Sequence, residues 1–230
     1  MTGTFLNIGT VLLGGTIGLL FGARILERFK STVIAGMGLF IAAMGIQMFL
    51  KTQNPLIVLG AMLIGTLLGE WWQIEAGLKS LGARLEKRFA RGDSSNFVRG
   101  FLTASLLFCV GPMTILGSIQ DGLTGDYSLL AIKSTLDFFA ALALASTLGA
   151  GVLFSALVIL VYQGGISLLA GQLSAVISDP MMAEMTATGG VLLLGLAVSS
   201  LLEIKPIRVG NFLPALFVAP LIVWIISQFQ

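Results

Sequence analysis

Asp121, Asp126, Lys133, Asp137 and Gln163 stand in a part of the chain that is otherwise strongly apolar. Asp121 and Asp126 belong to the run from Gly111-Pro112 to Gly125-Asp126, which also carries Thr114, Ser118 and Gln120. Lys133 and Asp137 are four residues apart, so on a helix they share a face and form an ion pair. Gln163 follows Tyr162 in the middle of a later apolar run and precedes Gly164-Gly165. At membrane depth an ionisable group is costly and reads as functional by default. Asp121 has the chemistry to bind a cation or carry a proton. Thr114, Ser118, Gln120 and carbonyls freed by Gly111-Pro112 offer the oxygen ligands that hard cations prefer. The competing reading is that Asp121 and Asp126 cap a turn, which Gly122 and Gly125 favour. For Lys133 and Asp137 the alternatives are a structural pair and a gate. For Gln163 they are a substrate contact and an interhelical hydrogen bond, with the helix weakened at its glycine pair. Asn7 is a similar, weaker case.

Composition says what holds these groups. The chain has 230 residues, 56% hydrophobic and 10% charged, with mean hydropathy +0.99. Soluble domains carry about 25% charged residues. The deficit, with repeated apolar runs, defines an all-α polytopic membrane protein. The net charge of +2 is no argument for nucleic acid, because the basic residues cluster in a few loops. Histidine is absent, so an imidazole relay or metal site is excluded. The single cysteine, Cys109, excludes an intrachain disulfide and reads as a small buried hydrophobe. No basic segment precedes the first apolar run, so that run is expected to stay as a helix rather than act as a cleaved leader.

Eight apolar segments approach the length of a span: Thr4 to Ala23, Thr32 to Leu50, Pro55 to Trp72, one within Phe101 to Thr124, Leu130 to Leu148, Val152 to Gly171, Thr186 to Leu202, and Val209 to Ser227. Eleven of the 13 basic residues fall in alternate loops, after spans one, three and seven; Lys51 and Lys133 are the exceptions. The positive-inside rule puts those loops in the cytoplasm and both termini outside. The acids Asp121, Asp126, Asp179 and Glu184 then lie toward the outer side. Between spans three and four, Ile74, Leu78, Leu81, Leu85 and Phe89 recur at helical spacing among Lys79, Arg84, Lys87 and Arg88. This predicts an amphipathic helix on the cytoplasmic membrane surface, with Trp71 and Trp72 at headgroup level. Residues 91–96 form the one hydrophilic linker.

An internal repeat is expected. Shifted by 103, Leu13-Gly14 meets Leu116-Gly117, Gly22 meets Gly125, and Lys30-Ser31-Thr32 meets Lys133-Ser134-Thr135. At nearly the same offset, Leu56 to Leu59 meets Leu157 to Leu160. The charge pattern makes the two three-helix units inverted, an organisation found in secondary transporters. The division is 1–92 for the first repeat with its interfacial helix, 93–180 for the second, and 181–230 for a two-helix appendage, all within one membrane domain. Gly14, Gly18 and Gly22 form a small-residue stripe, as do Gly65 and Gly69, and such stripes let helices approach closely within or between protomers. A homodimer is compatible with them. In the second repeat Asp121 takes the place of Gly18, which makes it a sharper candidate than Asp126, at the end of its span. Glu70 and Glu203, at the cytoplasmic ends of spans three and seven, are expected at the interface or paired with basic residues. Pro214 and Pro220 predict a kink in span eight, with Asn211 capping its start.

Leu107 to Met113, Gly117 to Asp126, Lys133-Ser134, Leu136-Asp137 and Tyr162-Gln163-Gly164 resemble a bacterial membrane family, domain-of-unknown-function family 554. The likeness runs over nearly the whole chain, including Gly3-Thr4, Asn7 and Ala187-Thr188-Gly189-Gly190. Phe138 departs from the glycine that the motif has after Leu-Asp. The resemblance implies a bacterial inner-membrane protein and brings no established activity. Enzyme motifs are lacking: there is no Ser-His-Asp set, no H-E-x-x-H and no Walker loop. The sequence predicts a secondary transporter or permease for a small ion or polar solute, lined by Asp121, Ser118, Gln120, Thr114, Asp126, Lys133, Asp137 and Gln163. The alternatives are an ion channel and a non-transporting membrane scaffold. No cofactor is called for, and the expected surroundings are the lipid bilayer and the solute.

Overall fold

The computed structural model describes residues 1–22, 26–89 and 94–228. Ala23, Arg24 and residues 91–93 of the linker lie outside the described residues. The elements are α1 (Thr2–Gly22), α2 (Glu27–Phe49), α3 (Pro55–Trp72), α4 (Ile74–Phe89), α5 (Ser94–Cys109), α6 (Pro112–Thr124), α7 (Ser128–Leu148), α8 (Ser155–Leu168), α9 (Ala170–Ser174), α10 (Asp179–Leu196) and α11 (Ala215–Ser227). Short 3-10 turns, Ala150–Phe154 and Val209–Phe212, lead into α8 and toward α11. A π-turn, Ala197–Leu201, extends α10.

Among the described residues, seven helices are long and apolar enough to cross a membrane, and an eighth span is counted if α5 and α6 are taken as one broken span. α3 begins and ends where its sequence says it should. The Asn54 side chain accepts from the Leu56 N–H, Pro55 supplies the first helical residue, and Gln73 ends the helix in a left-handed conformation. α4 covers the whole expected amphipathic stretch. Trp71 and Trp72 are both exposed. The fourth span is interrupted where Gly111-Pro112 predicts: proline has no N–H to continue the ladder. The two helices meet with a 62° bend. At 1.5 Å per residue the 13 residues of α6 reach about 20 Å, short of the roughly 30 Å hydrocarbon core.

The chain divides by packing into two units. Unit 1 is Met1–Gly36 with Lys79–Ala175, and unit 2 is Met37–Leu78 with Val176–Gln230. These units group residues by packing, whereas the expected repeat groups them by descent, so one division does not decide the other.

In unit 1, α1 lies along α7. A Cβ added at Gly14, Gly18 or Gly22 would strike the backbone at Phe138, Leu142 or Ser146, respectively. Both series advance by four, so the helices run parallel and touch backbone to backbone. The stripe is thus a packing device within the chain. α6 packs on both α7 and α8. Gly122 sits against the Ser167 carbonyl, and Gly117 against the Leu130 side chain.

In unit 2, α3 and α10 pack on α11. Gly65 admits Ala215 and Gly69 admits Asn211. The seventh span starts earlier than its apolar residues predict, at Asp179 rather than Thr186. The reason is Glu184. It is 1% exposed, and its carboxylate accepts from the Thr52 hydroxyl at 2.6 Å, the Gln53 N–H at 2.7 Å and the Asn54 N–H at 2.9 Å. A carboxylate so satisfied is tolerated in a buried helix. Asn211 does not cap its own segment. Its side-chain oxygen accepts from the Glu75 N–H at 2.8 Å, and Glu75 in turn accepts from the Gly210 N–H at 3.0 Å, so it serves the start of α4. Glu70 pairs with Arg208 at 3.0 Å.

Candidate functional site

α1, α6, α7 and α8 turn polar side chains into the interior of unit 1. On α6, Thr114, Ser118 and Asp121 recur at helical spacing and are all buried, with Asp121 2% exposed. The Asp121 Oδ2 accepts from the Gly3 N–H at 3.1 Å and lies 3.1 Å from the Met1 amino nitrogen. The carboxylate therefore sits at the start of α1, where backbone N–H groups and the helix dipole favour a negative charge.

Four residues along α1, the Asn7 Nδ2 donates to the Gln163 Oε1 at 3.0 Å. The Gln163 Nε2 donates to the Thr4 Oγ1 at 3.3 Å. α8 is not weakened at its glycine pair: it continues as helix to Leu168. Gly164 packs against the end of the Met1 side chain, with Thr4 at ordinary contact distance. On α7, Lys133 and Asp137 form an ion pair one helical turn apart, both buried. Asn7 lies near the Asp137 carboxylate. The Lys133 Nζ lies 6.0 Å from the centre of the Phe108 ring, within cation–π range. Two bonded groups thus lie near each other, Lys133 with Asp137 and Asn7 with Gln163 and Thr4, the last next in sequence to the Gly3 that binds Asp121.

Thr114 and Ser118 are also buried, but their hydroxyls donate to backbone carbonyls, those of Phe108 and Thr114 respectively. Gln120 and Asp126 are elsewhere. The Gln120 amide donates to the Asp126 carboxylate at 2.7 Å on the exposed side of α6. Asp126 accepts from both the hydroxyl and the N–H of Ser128, which ties down the turn into α7. Those Ser128 bonds, with the Gln120 amide, hold its carboxyl below the usual carboxylate range. Asp126 is therefore a turn residue, the alternative that its place at the end of the span left open.

Thr4, Ser134 and Ser167 were not among the expected lining residues, although Thr4 and Ser134 stand in the stretches that carry the family resemblance. Hydroxyls are common on helices that face lipid, so their residue type alone carries no signal. The lead available was their position beside Lys133, Gln163 and the Gly3-Thr4 motif. Among the described residues, Asn7 Oδ1, Asp121 Oδ1, Ser134 Oγ and Ser167 Oγ are buried without a hydrogen-bond partner.

Buried amides and charges inside apolar spans, beside a broken helix, define a polytopic membrane protein with a polar interior. The chain belongs to the family described as "Protein of unknown function (DUF554)", matched over residues 2–224. It is 32% identical over 233 residues to an uncharacterized membrane protein, YdfK, of Bacillus subtilis, covering 100% of this chain and 98% of that protein. It is 34% identical over 222 residues to an uncharacterized protein, YqgA, of Escherichia coli, covering 94% of each. No solved structure matches.

Proposed function

We propose that the protein is a secondary transporter or permease that carries a small ion or polar solute through the bacterial inner membrane, with both termini on the outer side. One observation carries this reading. Lys133 with Asp137 on α7, and Asn7 and Thr4 on α1 with Gln163 on α8, form two buried polar groups near each other, and Asp121 is buried beside the start of α1. Burying so many polar groups in an apolar bundle is expensive unless they serve a pathway. A scaffold needs none of them. The broken fourth span adds a place where backbone groups at membrane depth are freed from the helical ladder, as in the discontinuous helices of transporters. An inverted repeat over 1–92 and 93–180 would supply two related states, one open to each side, and 181–230 would be an appendage to that frame.

The experiment is uptake into proteoliposomes containing the purified protein, across a panel of inorganic ions and amino acids. Saturable uptake of one solute supports the reading. Unitary currents would replace it with a channel, and no flux across the whole panel would overturn it.

A further inference from the structure

We propose that α4 binds an anionic phospholipid of the phosphatidylglycerol class, with Arg84 and Arg88 gripping the phosphate and Leu81 and Leu85 lying against the acyl chains. The inference goes beyond the transport reading: it concerns the exposed face of α4 and not the buried polar groups.

The span ends of unit 1 set the depth of this helix. α1 ends at Gly22, against the Ser146 backbone near the end of α7. Gly100, early in α5, lies against Leu148 and Val152. Gly151, just before α8, lies against the Phe97 backbone. Two spans therefore end and two begin at one level, which is where the chain leaves the hydrocarbon core. α4 is docked at that level. A Cβ at Gly82 would come 3.1 Å from the Phe101 ring. The Phe89 ring is centred 5.2 Å from that of Phe154, which is 5.3 Å from that of Phe97. An amphipathic helix held against span ends lies among lipid headgroups.

Docking does not use up its apolar residues. Leu81 stays 43% exposed and Leu85 is half-buried. Leu81, Arg84, Leu85 and Arg88 stand at i, i+3, i+4 and i+7, so they share one strip of the helix. Both arginines are exposed. One turn apart, their Cβ atoms are separated by about 6 Å. A phosphodiester offers two non-bridging oxygens, and guanidinium groups donate to such oxygens in pairs. The Arg88 guanidinium also lies 5.7 Å from the centre of the Phe89 ring, which keeps it at the docked end of the helix. Lys87, three residues after Arg84, is exposed and adds a third positive charge. The acids of α4 face elsewhere. Glu86 is two residues from each arginine and so off their strip, and Glu75 accepts from the Gly210 N–H. Paired cations beside open leucines at headgroup depth complement an anionic lipid. Free phosphate has nothing to cover the leucines.

The test is thermal unfolding of the purified full chain in detergent micelles doped with phosphatidylglycerol or with phosphatidylcholine of the same chains. A saturable rise in melting temperature with phosphatidylglycerol, absent with phosphatidylcholine, is expected. Arg84→Gln and Arg88→Gln should each weaken the apparent affinity about fivefold, and the double variant about twentyfold or more. Lys205→Gln, an equal loss of charge at an exposed loop residue, should leave it unchanged. If the double variant does not fold, the single changes carry the comparison. Equal stabilisation by the two lipids, or an undiminished response in the arginine variants, overturns the site. So does an equal loss in Lys205→Gln, which would mean a diffuse field. Stabilisation by inorganic phosphate or glycerol phosphate to the same extent would overturn the lipid as ligand.

Discussion

The Asn7 amide nitrogen donates to the Gln163 side-chain oxygen at 3.0 Å, across 156 residues of sequence. This bond joins the first span to the sixth inside unit 1. Removing one partner leaves the other buried and unmet, whereas removing both leaves an apolar contact. A double-mutant cycle with Asn7→Leu and Gln163→Leu, read by thermal unfolding in detergent, should give a coupling of about 0.6–1.7 kcal/mol, the range for interhelical hydrogen bonds in bilayer proteins. Additive single changes would show that the bond contributes nothing to stability.

Gly18 meets the Leu142 backbone, so any side chain there must push α1 off α7. Gly18→Leu should destabilise the protein by about 1–3 kcal/mol or more, as overpacking does. Gly9, on the same helix, has open space beside it. Gly9→Ala should be neutral or slightly stabilising. The two melting temperatures compare the sites directly.

Glu184 holds three donors of the segment between α2 and α3. Glu184→Ala removes that acceptor from half-buried Thr52 and from the N–H groups of Gln53 and Asn54 at the exposed end of the segment. The expected cost is on the order of 3 kcal/mol. Hydrogen exchange at Gln53 and Asn54 should quicken before the rest of unit 2 does.

The Asp126 carboxyl is held below its ordinary value by hydrogen bonds from Ser128 and Gln120. Stabilisation from a depressed carboxyl is complete above the unfolded value near about 3.9 and is lost as pH falls through the lower folded value. The Ser128 amide resonance, followed by NMR, should stay constant from neutral pH through 3.9, taken as roughly the ordinary aspartate value, and move only below it. A midpoint at or above the ordinary value would contradict the turn geometry.

The architecture was largely legible because spans, caps and breaks are local. Asn54-Pro55 marks the start of α3 with no help from tertiary structure, and Gly111-Pro112 marks the break between α5 and α6. The start of α10 was hidden, since a glutamate inside a span is unreadable until its partners at residues 52–54 are known. The site divides the same way. Asp121 was legible as a carboxylate in place of a packing glycine. Its surroundings were not, because Gly3, Thr4 and Asn7 lie more than a hundred residues away. Thr114 and Ser118 illustrate the converse: at the right spacing for ligands, they turn their hydroxyls to backbone carbonyls, a choice that residue type does not reveal.

The central claim is that the carboxylate at the start of α1 works in transport. It is tested most directly by solute uptake into proteoliposomes carrying either the wild type or Asp121→Asn, matched for protein content, melting temperature and elution profile. The account predicts saturable uptake by the wild type and none above empty vesicles by the variant. Wild-type uptake rates in the folded Asp121→Asn protein would contradict it.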